Sequence, residues 1–181
     1  MIISISGPPG SGKNTIAELL ARKLHMKHYS MGDLRGKMAL GMGMTLDELN
    51  KLGEKEEFTD KEIDEYQKKL GKTEDNFVID GRLSFYFIPH SIKIYLDVSL
   101  EEGARRIFKN PRKDERKYNS IGEAIKANKA RIASDKKRYR MYYNIDCYDK
   151  SHYDFVIDTT NLMANKVVQK ILLFLKKKAR H

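Results

Sequence analysis

The chain has 181 residues, a length that favours one domain. Apolar residues make up 40% and charged residues 33%, which is enough for a buried core and argues against intrinsic disorder. No apolar run approaches the roughly 18–20 residues of a bilayer span, the start lacks the basic region of a signal peptide, and Cys147 has no second cysteine to pair with, so a cytoplasmic protein with no membrane partner is expected.

Thirty-five Lys and Arg against twenty-five Asp and Glu give a net charge of +10. The excess lies late: residues 101–181 hold 21 basic and 10 acidic side chains, whereas residues 1–100 are near neutral. Such asymmetry implies a polyanionic partner, either nucleotides or nucleic acid, although lysines such as Lys176, Lys177 and Lys178 also fit a solvated helix face.

Residues 1–6 read as a short buried strand and residues 7–12 as a Gly/Pro loop. Residues 15–24 space Ile16, Leu19, Leu20 and Leu24 as a helix does. Residues 27–30 are a brief second strand. Helices follow over 32–42, after the capping box Thr45-Leu-Asp-Glu48, and after a second such box, Thr59-Asp-Lys-Glu62, whose helix is expected to stop at Gly71. Residues 76–80 and 92–98 are strands three and four. Ser99-Leu-Glu-Glu102 caps a helix to about 109, residues 110–119 form a charged loop, and Ser120-Ile-Gly-Glu123 caps a long helix to about 142. Residues 153–157 are a fifth strand, and residues 163–178 a final amphipathic helix. Strands without polar alternation, interleaved with helices, indicate an α/β fold with a parallel sheet covered on both faces.

The strongest local signal is Gly7-Pro8-Pro9-Gly10-Ser11-Gly12-Lys13-Asn14-Thr15, set between a strand and a helix. Glycines let the backbone curl so that successive N–H groups face phosphate oxygens, and the helix N-terminus adds its positive dipole end. Lys13 can reach the outer phosphates and Thr15 can contact phosphate. The usual phosphate-loop pattern ends in Ser or Thr after the Lys. Here Asn14 holds that place, so a direct hydroxyl–Mg²⁺ bond is not expected from it.

This loop resembles that of the nucleoside monophosphate kinases, and later segments extend the likeness over nearly the whole chain. Tyr29-Ser30-Met31-Gly32-Asp33-Leu34 resembles the segment that opens their monophosphate-binding helices. Asp80-Gly81-Arg82 resembles the "[DE]GR" segment of cytidylate kinases, Arg131-x-x-x-Asp135-x-x-Arg138 their arginine helix, and Val156-Ile157-Asp158-Thr159 their last strand end. Residues 43–47 and 139–145 look most like the archaeal type. The resemblance implies a single domain over 1–181: a P-loop three-layer sandwich with a five-stranded parallel sheet, a helical NMP-binding insert at about 31–75 and a small lid at about 109–119. It implies transfer of the γ-phosphate of ATP to CMP or dCMP with Mg²⁺, in a monomer. Bacterial cytidylate kinases follow "DGR" with an Asp that helps hold cytosine; this chain has Leu83 there.

The site expectations follow. Residues 7–15 hold the donor, and Lys13, Arg82, Arg106 and Arg112 are the candidates for neutralising the transferring group. Ser30, Gly32, Asp33, Asp80, Gly81, Arg82, Arg131, Asp135 and Arg138 are candidates for the acceptor side. The family's acceptor arginine falls at Gly36, leaving Arg35 or Lys37 to meet the phosphate. Arg131, Asp135 and Arg138 share a helix face at i, i+4 and i+7; the resemblance gives Asp135 a sugar contact and Arg138 a phosphate contact, while the residues alone also fit an internal ion pair. Asp80 fits either a water-mediated Mg²⁺ contact or a strand-end cap, and Ser30 and Asp33 fit either a helix cap or a ligand contact. His25 and His28 read as structural, and no residue set is expected to cage a metal. A small-acceptor kinase of another kind is the near alternative. An RNA-associated NTPase is the far one, supported by 14 basic residues in 105–140.

Overall fold

The computed structural model describes residues 1–111 and 117–180. Five parallel strands, β1 (Ile2–Ser6), β2 (Lys27–Ser30), β3 (Phe77–Asp80), β4 (Ile92–Asp97) and β5 (Phe155–Asp158), form one sheet in the order β2-β3-β1-β4-β5. β1 is central and buried on both faces, as its Ile-rich sequence requires. On one face Ile3, Ile5, Val78, Ile94 and Leu96 pack against α1 (Lys13–Leu24) and α8 (Ala164–Lys178) through Ile16, Leu20, Val168 and Ile171. Each such side chain contributes roughly 1.5–3 kcal/mol. On the other face Ile2, Phe77 and Ile79 meet Met31, Ile63, Leu70 and Ile88.

Residues 31–75 carry three helices: α2 (Met31–Gly41), α3 (Leu46–Gly53) and α4 (Phe58–Thr73). A short helix α5 (Ser84–Phe87), not anticipated from the sequence, follows β3. Helices α6 (Leu100–Lys109) and α7 (Ile121–Tyr143) complete the architecture. The Thr45 capping box forms, with Glu48 N donating to Thr45 Oγ1 and Thr45 N donating to Glu48 Oε2. Ser99 and Ser120 also cap as expected, through the amides of Glu102 and Glu123.

Two expectations fail at α4. The box at Thr59 does not form: the Thr59 hydroxyl donates to the carbonyl of Glu56, and the helix has already begun at Phe58. Gly71 does not stop the helix, which runs two residues further. A Cβ at Gly71 would lie 3.0 Å from Ile88 Cγ1, so this glycine serves close packing against the residue after α5 rather than a left-handed cap.

Candidate active site

Most of the charged candidates among the described residues gather at the carboxyl ends of the strands, where ligands bind in open α/β sheets. β1 ends at Ser6 and the phosphate loop turns directly into α1, whose first residue is Lys13. Gly7, Gly10 and Gly12 adopt positive φ, so the loop takes the curl that its glycines permit. The loop is pressed onto α6: a Cβ on Gly10 would come within 2.2 Å of the carbonyl of Gly103, and one on Gly103 within 2.7 Å of Pro9 O. Gly103 carried no sequence signal, because its need for a missing side chain arises only from this contact. The hydroxyl of Ser11 is buried without a partner. Among the described residues Lys13 Nζ has only the carbonyl of Pro8 as a hydrogen-bond partner, at 3.3 Å, and burial, followed by the positive Arg82, pushes its ammonium well below the ordinary lysine range.

Pro9, Gly10, Gly12, Lys13, Asn14 and Thr15 line a cavity of about 400 Å³, whereas Gly7, Pro8 and Ser11 do not line it. That volume falls within the usual range for small-molecule sites. Beyond the loop the cavity is walled by a chain of buried ion pairs. Arg82, just past β3, donates from Nη1 to Gly7 O (2.9 Å) and from Nε to Asp135 Oδ2 (2.8 Å). Arg138 donates from Nη2 to Asp135 Oδ1 (2.7 Å) and from Nη1 to both oxygens of Asp60 (2.5 and 2.7 Å). Arg35 donates to the same Asp60 at 2.9 Å, to Asn50 Oδ1 and to Thr59 O. Its Nη2 is buried and has no hydrogen-bond partner among the described residues. Tyr148 donates to Asp135, and the guanidinium of Arg138 lies over the Tyr139 ring. Burial works against the charge on Asp135, yet Arg82 and Arg138 hold its carboxyl well below the usual range. Arg131 also reaches the cavity wall.

The structure separates the two phosphate candidates on α2. Arg35 lines the cavity, whereas Lys37 is exposed and off it, because two residues further along a helix turn the side chain to the opposite side. Lys37 is thereby removed from the site. Arg138 borders the cavity but is fully buried and engaged by two carboxylates, an arrangement that suits a strut more than a free phosphate ligand. Its ion pair is internal but not solvated.

Ser30 caps α2 by accepting from Asp33 N, and its hydroxyl also meets Asn14 Nδ2 and Asp80 Oδ2. Asn14 donates as well to Asp33 Oδ2 (3.2 Å), so the residue that departs from the usual loop pattern fastens α1 to α2. Gly32 and Gly81 line the cavity. Asp80 is buried, with His28 Nε2 at 2.7 Å from one oxygen and Ser30 Oγ at 3.2 Å from the other. His28 thus steadies a site residue. Arg106 lies on α6, ahead of the expected lid, and holds Gly10 O, Thr159 O and Oγ1, and Thr160 O, which ties the loop to the end of β5. Arg112 lies outside the described residues, with the rest of residues 112–116 of the expected lid. Cys147 is buried, which raises its thiol and makes it unreactive. No helix among the described residues is long and apolar enough to cross a membrane.

Among the cavity residues that sequence reasoning missed are the polar Asn50, Asp60, Asp64 and Gln67. A usable signal existed: on α4 the polar Asp60, Asp64 and Gln67 fall in the same stripe as Ile63 and Leu70, where an amphipathic helix should be apolar.

Fold and loop together define a P-loop kinase type of α/β protein. The shikimate kinase of Aquifex aeolicus vf5 shares this fold, with a TM-score of 0.60 at 22% identity over 99% of this chain and 98% of that one. The cytidylate kinase-like family matches residues 2–161, and the chain belongs to that family. It is 41% identical to a cytidylate kinase of Methanothrix thermoacetophila over 88% of both chains. It is 36% identical to one of Sulfurisphaera tokodaii over the full length of both. These relatives do not favour the RNA-associated or other-acceptor alternatives.

Proposed function

We propose that the protein transfers the γ-phosphate of ATP to CMP or dCMP, giving ADP and the nucleoside diphosphate. One observation carries this reading beyond family membership. Arg82 bonds at once to the donor loop, at Gly7 O, and to the acceptor-side carboxylate Asp135, so the two anion grips share one wall and one cavity.

Phosphoryl transfer needs donor and acceptor phosphates in line with their charge neutralised. The loop amides and Lys13 take the donor's outer phosphates. Arg35, Arg82 and Arg131, which all line the cavity, take the acceptor phosphate. Asp60, Asp135 and Arg138 keep these guanidiniums from turning away. The acceptor oxygen is already ionised near neutrality, so no general base is required, and fixed positive groups supply the stabilisation. Arg106 holds the loop against the end of β5, near where the donor's base would lie.

Asp80 suits Mg²⁺, an ion usually held by one or two carboxylates, waters and the substrate's phosphates. Asn14 and Thr15 line the same wall. When bound there, the ion would withdraw charge from the donor phosphates.

The test is a coupled ADP-release assay with CMP, dCMP, UMP, AMP and GMP in parallel. Fastest turnover with CMP and dCMP is expected. A folded sample that releases no ADP with any acceptor overturns the reading.

A further inference from the structure

Beyond the arginine cluster the cavity has a polar feature that phosphate transfer does not use. Asp64 and Gln67 lie four and seven residues past Asp60 on α4, or roughly 6 and 10 Å along the helix axis. Asp60 is the carboxylate that holds Arg35 and Arg138, so this pair lies along α4 from the arginine cluster and lines the same cavity. Apolar walls from Leu46, Ile63 and Leu83 flank the space and suit a flat ring.

The two side chains are set in complementary roles. Asp64 is buried, and its hydrogen-bond partners are both neutral: the Tyr143 hydroxyl on Oδ2 and Gln67 Nε2 at 3.3 Å on Oδ1. The Ser84 hydroxyl donates to Gln67 Oε1 at 2.7 Å, which fixes the amide with its nitrogen toward Asp64. One N–H remains on that nitrogen. The cavity therefore ends in a carboxyl acceptor beside an amide donor.

Resting on the kinase reading above, we infer that Asp64 and Gln67 read the acceptor base. They select one with an exocyclic amine beside a ring-nitrogen acceptor, as in cytosine, over one with a carbonyl beside a ring N–H, as in uracil. Asp64 accepts from the amine, the pairing by which carboxylates read cytosine elsewhere, and the Gln67 N–H donates to the ring nitrogen. A purely structural Asp64 would serve only the Tyr143 hydroxyl. Burial raises its carboxyl to about 7, a cost that a neutral Asn in the same place would avoid.

The test compares kcat/KM for CMP, UMP, AMP and GMP in the wild type, Asp64→Asn and Gln67→Leu, with folding checked by circular dichroism. AMP presents the same amine-and-acceptor edge as CMP; GMP presents the uracil-like edge. In Asp64→Asn, CMP and AMP should lose about 5- to 150-fold relative to UMP and GMP, while the KM for ATP stays constant. If Asp64→Asn does not fold, Gln67→Leu carries the same comparison with the same expected direction. Unchanged CMP:UMP ratios in the folded variants overturn the inference while leaving the kinase reading intact. A wild type that does not prefer CMP to UMP also overturns it. A wild type that phosphorylates neither removes the kinase reading itself.

Discussion

Asp64→Asn should stabilise the protein at alkaline pH and not at acid pH. Burial, the largest influence, raises the carboxyl from 3.8 to about 7 against a lowering by the Tyr143 hydroxyl; Asp60 adds to the rise, and Arg35 and Lys68 oppose it. Below pH 3.8 both the folded and unfolded chains carry the proton, and Asp64 costs nothing. Between 3.8 and about 7 only the folded chain carries it, so stability falls by about 1.36 kcal/mol per pH unit. Above about 7 both states are ionised, and the accumulated cost stands at about 4 kcal/mol. An Asn of the same shape keeps an acceptor for Tyr143 but turns an amide toward Gln67 Nε2, and losing that hydrogen bond costs about 1 kcal/mol. The net gain at pH 8 is then about 3 kcal/mol, or roughly 6–12 °C in Tm for a chain of this size. Urea unfolding of both proteins from pH 5.5 to 8.5 reads the difference directly. The advantage of the variant should grow by about 2 kcal/mol between pH 5.5 and the plateau. A difference that does not change with pH, or a variant less stable at pH 8, refutes the buried-carboxyl argument.

Two further outcomes test the anion grips. Lys13→Ala should lower kcat by two or more orders of magnitude without loss of fold, since it removes a buried charge beside the transferring group; near-normal turnover rejects the loop's role. Arg35→Ala should raise the KM for CMP at least about tenfold and leave that for ATP nearly unchanged, whereas Lys37→Ala should alter neither; steady-state kinetics with each substrate varied in turn decides between them.

How far the sequence could be read depended on whether a feature is local. The phosphate loop is nine contiguous residues whose glycines and lysine carry their own geometry, so it is legible directly. The buried strands and three of the helix caps are local in the same sense. Arg131, Asp135 and Arg138 show their common face by spacing, but not their partners. Asp60, which decides whether Arg138 is a phosphate ligand or a strut, lies 78 residues away on another helix. Lys37 looked as suitable as Arg35 because charge alone does not state helix phase. The phase becomes visible only once Met31 and Ala39 are seen to be buried. Gly71 and Gly103 were opaque for a related reason: each is required by a neighbour from a remote segment, Ile88 and Pro9.

The ion-pair chain explains why so costly an arrangement persists. Three guanidiniums, those of Arg35, Arg138 and Arg82, share only two carboxylates, Asp60 and Asp135. Burying such a chain rarely gains net stability over apolar packing, and removing one member strands its partners at a cost of about 3–5 kcal/mol. Its value lies in the surplus. One positive charge is left over on the acceptor side, Lys13 is held short of countercharge on the donor side, and Arg82 joins the two through Gly7 and Asp135. On the proposed function, each arriving phosphate would complete a deficit already present. The guanidiniums need not move to meet it, because Asp60 and Asp135 have fixed them in advance. The same carboxylates that make the site expensive to fold therefore remove the reorganisation that transfer between two anions would otherwise require.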